Sequence, residues 1–97
     1  MGFTLGVLDK LAFHNGHFLL FIGTMTTGSG NEDCAFFRVL PCDTDLPPIR
    51  LAPASTLAID GEEAMVVVDK ISNNCVDVSV INMGDSQVTQ MRSGVLQ

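Results

Sequence analysis

The chain has 97 residues, which is enough for one packed core and too few for two, so we expect a single domain over residues 1–97. Eleven acidic and five basic residues give a net charge of −6, which repels phosphate backbones and argues against nucleic acid as a partner. The longest apolar run, residues 18–23, is far shorter than the ~20 residues of a membrane span, and the amino terminus lacks the basic region of a signal peptide. We therefore expect no membrane segment and a cytoplasmic or virion location.

No segment shows apolar residues at helical spacing over three turns, whereas short runs rich in Val, Ile, Phe and Thr recur between turn residues. The pattern predicts a first strand through residues 3–13, followed by the dipeptide Asn15–Gly16. That dipeptide between apolar runs is typical of a two-residue hairpin turn, with a returning strand over residues 17–24. The chain therefore begins with a predicted hairpin.

The glycine-rich stretch 26–33 is predicted to be a loop, followed by a strand over residues 34–40. Three prolines make residues 41–48 an irregular connection. Short strands are predicted over 49–52 and 56–59, a second hairpin over 63–71 and 75–82, and a last strand over 86–92. Seven or eight short antiparallel strands at regular spacing predict an all-β fold, a small barrel or sandwich.

The apolar content exceeds what one small core can hide. Hydrophobic residues make up 46% of the chain and charged residues 16%, where an ordinary soluble domain has about 25% charged residues. Residues 18–22 and 64–68 show no polar residue at alternate positions, so both faces of each strand need cover. We expect association with a second copy or another protein. The hypothetical interface residues are Phe18, Leu20, Phe21, Ile22, Met65 and Val67.

Two histidines form the most compact candidate ligand pair. A two-residue turn at Asn15–Gly16 would place His14 opposite His17, with Cβ atoms roughly 5 Å apart. A zinc site needs a third ligand, and none lies nearby in sequence. We therefore expect a polar pair at an exposed hairpin end, with no metal bound.

Other chemical groupings also lack a defined pattern. The acids Glu32, Asp33, Asp43 and Asp45 do not follow the twelve-residue calcium loop, so we expect them to be solvated. Residues 26–30 lack the lysine and the helix of a phosphate loop.

The cysteines do not predict a disulfide framework. Cys34, Cys42 and Cys75 are odd in number and lack CxxC spacing, which predicts neither disulfides nor a zinc knuckle and fits a reducing compartment. Cys34 and Cys75 are interpreted as small core residues. No serine occurs in a GxSxG context, and the chain is expected to be non-enzymatic, without catalytic residues or cofactor. An acid beside the histidine pair, or a histidine beside a cysteine, would favour an enzyme instead.

Two stretches of the chain resemble known sequences. Residues 55–80 (STLAIDGEEAMVVVDKISNNCVDVSV) resemble the opening strands of the carbon-storage-regulator family of small RNA-binding proteins. The resemblance implies a hairpin arrangement but no RNA binding, because Asp77 and the uncharged run 78–84 replace the basic residues of that family. The end Val95-Leu96-Gln97 is similar to the product end left by viral 3C-like cysteine proteases, which cut after glutamine preceded by leucine.

The sequence as a whole favours a non-catalytic structural or assembly protein, for instance a component of a viral particle or shell. The alternative is a small β-barrel binding module for a peptide or small ligand, using a groove lined by Phe and Met or an exposed sheet edge.

Overall fold

The computed structural model describes residues 1–14, 16–27, 32–41, 45–59, 64–82 and 88–93. These residues form nine β-strands and no helix, so the predicted all-β class is confirmed. The strands are β1 (Gly2–Gly6), β2 (Lys10–Phe13), β3 (Phe18–Met25), β4 (Cys34–Leu40), β5 (Ile49–Leu51), β6 (Thr56–Ala58), β7 (Ala64–Ser72), β8 (Cys75–Asn82) and β9 (Val88–Met91).

The strands are arranged in two antiparallel sheets. One sheet has four strands in the order β1-β8-β7-β6, and the other has five in the order β5-β4-β3-β2-β9. Both sheets keep open edges, so the fold is sandwich-like and not a closed barrel. No helix in the described part of the chain is long and apolar enough to cross a membrane.

The predicted first strand divides in two, which accounts for nine strands instead of seven or eight. β1 ends at Gly6, and a tight turn follows in which Asp9 N donates to Gly6 O over 3.0 Å. Leu8 has a φ of 70°, a left-handed conformation that side chains with a Cβ rarely adopt. The chain crosses at this turn from the four-stranded sheet to the five-stranded sheet.

The core lies between the sheets. Because side chains alternate along a strand, each sheet turns every second residue inward. The largest inward side chains, Phe21 and Phe37, are fully buried, and their ring centroids lie 5.5 Å apart at an angle of 47°. Burying each ring stabilises the fold by about 2–3 kcal/mol. The other core residues include Leu5, Leu11, Phe13, Leu19, Val66, Val68, Val76, Val78 and Val80.

The first hairpin differs from the predicted two-residue turn. Ala12 pairs with Phe18, and Phe13 N donates to His17 O over 2.9 Å, so Phe13 lies opposite His17. His14 therefore lies in a three-residue loop. Gly16 N donates to Phe13 O over 3.1 Å, and Gly16 has a φ of 93°, which glycine adopts without the steric cost of a side chain. Asn15 itself lies outside the described residues.

The second predicted hairpin is confirmed, and it also contacts the other sheet. Ser72 pairs with Cys75 across the turn, and Asn74 has a φ of 63°, a conformation that asparagine tolerates. Asn74 N donates to Thr24 Oγ1 over 2.9 Å. This bond holds the tip of the β7–β8 hairpin against the end of β3.

Candidate interaction surface

The outward residues of the five-stranded sheet form an apolar surface, which we call the five-stranded face. In β3 the buried Leu19 and Phe21 point inward, so Phe18 and Leu20 point outward and are half-buried. A β-bulge inserts Ile22 between the pairs Phe21–Phe37 and Gly23–Phe36. The other apolar members of the face are Ala12, Phe36, Leu40 and Met91.

Cations lie across this face, not only at its margin. Lys10 pairs with Leu20, and Leu20 pairs with Arg38, so the three residues form one row across β2, β3 and β4. The Lys10 Nζ atom lies 5.3 Å from the centroid of the Phe18 ring, within cation–π range. Arg38 Nη1 donates to Leu46 O over 2.8 Å. The first contact holds the Lys10 ammonium group over the face, and the second ties the Arg38 guanidinium group to the connection between β4 and β5.

Charge is distributed unequally between the two sheets. The strands of the five-stranded sheet contain three bases, Lys10, Arg38 and Arg50, and no acid. The strands of the four-stranded sheet contain two acids, Asp69 and Asp77, and one base, Lys70. The chain carries −6 in total, so everything outside the three bases of the five-stranded sheet carries −6 − 3 = −9. The strands of the five-stranded face are therefore cationic on an acidic protein, although Glu32 and Asp33 line one depression together with Arg50 at the β5 edge.

The outward residues of the four-stranded sheet form a second surface, the four-stranded face. At one end Met65 pairs with Ile81 and lies beside Ala58, and Val67 follows in the next row. Further along, a second bulge brings Asp69 and Lys70 opposite Asp77. Thr4 Oγ1 donates to Asp77 Oδ1 over 2.7 Å, and Ser79 Oγ donates to Asp69 Oδ2 over 2.5 Å, so hydroxyl groups orient both carboxylates.

The structure places the hypothetical interface residues on two opposite faces. Phe18 and Leu20 lie on the five-stranded face, with Ile22 at its bulge, whereas Met65 and Val67 lie on the four-stranded face. Phe21 differs from expectation, because it is fully buried in the core of its own chain. The second sheet of the same chain already covers one side of each apolar strand, so only the alternate residues remain for a partner.

The histidine pair is not assembled as expected. His17 lies opposite Phe13, and His14 is exposed in the turn. Among the described residues, no group of three or more His, Cys, Asp or Glu is placed to hold a metal ion. The acid Asp43 and residues 28–31 of the glycine-rich stretch lie outside the described part of the chain.

The described cysteines lie far from the histidine hairpin or on another sheet. Cys34 is buried at the start of β4, and Leu40, at the other end of β4, pairs with Phe18. Six residues of strand separate the two ends by about 20 Å. Cys75 lies half-buried on the four-stranded face opposite Gly6, not in the core as expected. Cys42 is outside the described residues.

Asp9 is a buried acid that the sequence pattern does not single out. Its Oδ2 accepts hydrogen bonds from Gly6 N over 2.9 Å and from Gln90 Nε2 over 3.4 Å, and its Oδ1 accepts one from Ser93 N over 2.8 Å. Burial acts to raise the pKa of Asp9, but the bonds from Ser93, Gly6 and Gln90, with the charge of Arg92, lower it overall. The lone acid within the apolar stretch 5–11 is the only sequence signal for this site.

The carboxylate of Asp9 therefore connects parts of the fold. Its partners lie on the β1–β2 turn, in β9 and just after β9. Since donors from both ends of the chain bind its two oxygens, the group is suited to holding the two sheets together.

One apolar depression adjoins the five-stranded face. It has a volume of about 210 Å³ and is lined by Phe37, Arg38, Val39, Leu46, Pro47 and Ile49. Ligand sites for drug-sized molecules usually enclose about 300–1,000 Å³. This depression is suited to a single apolar side chain.

Comparison with known proteins gives no match: no family model, no curated protein and no solved structure is similar to this chain. The function must therefore be argued from the two faces and their chemistry.

Proposed function

We propose that this chain is a non-catalytic assembly protein that associates, with further copies or another protein, through the five-stranded face. The observation that carries the proposal is the apolar surface formed by Phe18, Leu20 and Phe36, which point away from the core of their own sandwich. The same proposal includes a role as a component of a viral particle or similar shell, with a location in the cytoplasm or the virion.

The size of the face is that of a small interface. At about 3.3 Å per residue, β3 and β4 are about 23–26 Å long, whereas β2, β5 and β9 are only about 10–13 Å long, so five strands spaced by about 4.8 Å give a surface of about 400 Å². Two such surfaces in contact bury about 800 Å², the low end of interfaces between proteins, where association is weak or transient. A partly apolar patch of this extent on a small domain is typical of an interaction site.

The test is a measurement of molar mass by light scattering over a range of concentrations, on the wild type and two variants. Leu20→Asp places a carboxylate in the middle of the five-stranded face and is expected to abolish association. Val7→Asp is the matched control, because Val7 is 38% exposed in the β1–β2 connection, outside both faces. A wild-type protein that stays monomeric at micromolar concentration contradicts self-association.

A second candidate function is peptide binding. It is favoured by the apolar depression beside Leu46 and Ile49, next to β5 at the edge of its sheet. An extended peptide pairing with β5 would place one apolar side chain there. Saturable binding of a peptide library by a monomeric wild type, lost in Ile49→Asp, supports this candidate.

A further inference from the structure

We infer that copies of this chain associate head to tail, with the five-stranded face of one copy packed on the four-stranded face of the next. The inference rests on the proposed function and specifies its interface. A heterologous contact of this kind leaves one unused face at each end of a pair, so assembly continues into a ring or an open chain.

Charge argues against the simplest alternative, a symmetric pair of five-stranded faces. Lys10 and Arg38 flank Leu20 in the central row of that face. A two-fold axis near Leu20 would bring the four cations of two copies together in a partly desolvated contact. Like charges placed against each other cost several kcal/mol at an interface.

The four-stranded face supplies the complementary charge. Asp69 and Asp77 are its two acids, and Lys70, opposite Asp77, is the one base of its strands, so an acidic excess of one charge remains. The hydroxyl groups of Ser79 and Thr4 donate to these carboxylates and leave part of each carboxylate for further donors. Arginine and lysine from the next copy are suitable partners for these carboxylates.

The order of apolar and charged rows on the five-stranded face also matches the order on the four-stranded face. On the five-stranded face, Phe18 lies in an apolar row with Ala12 and Leu40, and the Lys10–Arg38 row comes next. On the four-stranded face, the apolar Met65 and Val67 rows lead to the acidic bulge at Asp69. Each face thus has an apolar row beside a charged row, and the charged row is cationic on the five-stranded face and, with Asp69 and Asp77 against Lys70, acidic by one charge on the four-stranded face.

The head-to-tail contact also explains why apolar residues lie on both faces. Leu20 and Val67 belong to opposite layers of one sandwich, so a single symmetric interface cannot bury both. A head-to-tail contact buries Leu20 of one copy against the Val67 surface of the next.

The test uses two variants, each with one face blocked. Leu20→Asp retains an intact four-stranded face, and Val67→Asp retains an intact five-stranded face. Each variant alone is expected to be monomeric by light scattering. An equimolar mixture is expected to form a complex of two subunits, because the intact faces meet and the blocked faces prevent further growth. Val7→Asp is expected to assemble like the wild type, and circular dichroism checks that each variant is folded.

The outcomes separate the two proposals. If the wild type assembles but Val67→Asp also assembles, or if the mixture stays monomeric, head-to-tail packing is wrong while self-association stands. If the wild type itself is monomeric, self-association fails. Should either variant not fold, Arg38→Glu replaces Leu20→Asp and Met65→Asp replaces Val67→Asp, with the same expected mixing result.

Discussion

At the scale of single residues, Asp9 shows how one carboxylate can connect distant parts of a chain. It receives hydrogen bonds from residues as far apart in sequence as Gly6 and Ser93. Hydrogen bonds to a charged group contribute about 1.5–3 kcal/mol each, and an unsatisfied buried donor costs a similar amount. Asp9 is therefore expected to determine how firmly β9 is held.

We predict that Asp9→Asn lowers the free energy of unfolding by about 1–3 kcal/mol at pH 7, because the amide is neutral and must turn its NH₂ group toward a donor. The lowered pKa of Asp9 means that its stabilisation is fully present above the ordinary value of 3.8 and is lost as pH falls through the folded pKa. The difference in the free energy of unfolding between the wild type and Asp9→Asn should therefore become smaller below pH 3.8.

Urea unfolding at several pH values measures this difference. Glu32→Gln removes an exposed carboxylate and is the control, with an expected change below about 0.5 kcal/mol. A difference between Asp9→Asn and wild type that stays constant to pH 2.5 would contradict the role of the Asp9 charge.

At the scale of one element, β4 shows how the pleat places neighbouring side chains on opposite faces of a sheet. Phe37 is fully buried against Phe21, whereas the adjacent Phe36 is half-buried on the outer face opposite the bulge. The sequence contains two consecutive phenylalanines that alternation sends to opposite faces. Only the pairing of β4 with β3 decides which one faces the core.

Truncation to alanine is expected to affect mainly stability at Phe37 and mainly association at Phe36. Phe37→Ala leaves a cavity in the core and should lower the free energy of unfolding by about 3–5 kcal/mol. Phe36→Ala should cost about 1 kcal/mol of stability, because the side chain is only half-buried, but should weaken association at least tenfold. Chemical unfolding and concentration-dependent light scattering measure the two effects. Equal losses of stability at both positions would refute this assignment of the faces.

At the scale of the whole molecule, the separation of charge between the sheets distinguishes two kinds of assembly. In the head-to-tail arrangement, the cationic five-stranded face meets Asp69 and Asp77 of the next copy. Salt screens this attraction, since the Debye length falls from about 10 Å at 0.1 M to about 3 Å at 1 M. In a symmetric arrangement the same salt would screen a repulsion.

We therefore predict that raising NaCl from about 0.05 M to about 0.5 M weakens association severalfold without dissociating it completely, because burial of apolar residues persists. Sedimentation velocity over this salt range gives the dissociation constant. Arg38→Gln, which removes the charge without reversing it, should weaken association and reduce its salt dependence. Association that strengthens with NaCl would contradict the pairing of unlike charges.

Local features were sufficient to predict much of the secondary structure. The strands at 34–40 and 75–82 lie where the sequence predicts them, because β-branched and aromatic runs between turn residues act over a few neighbours. The apolar surplus likewise indicated surfaces such as those around Leu20 and Val67.

Pairing between distant strands decided the rest. Nothing local indicated that β1 and β2 belong to different sheets, that Phe13 and not His14 lies opposite His17, or that Phe21 is internal. A shift of one residue in register moves every side chain of a strand to the other face, and register is set by partners far along the chain. Composition and the spacing of turn residues were enough to specify an all-β chain with excess apolar residues. Strand pairing then assigned those residues either to the core or to the two outer faces.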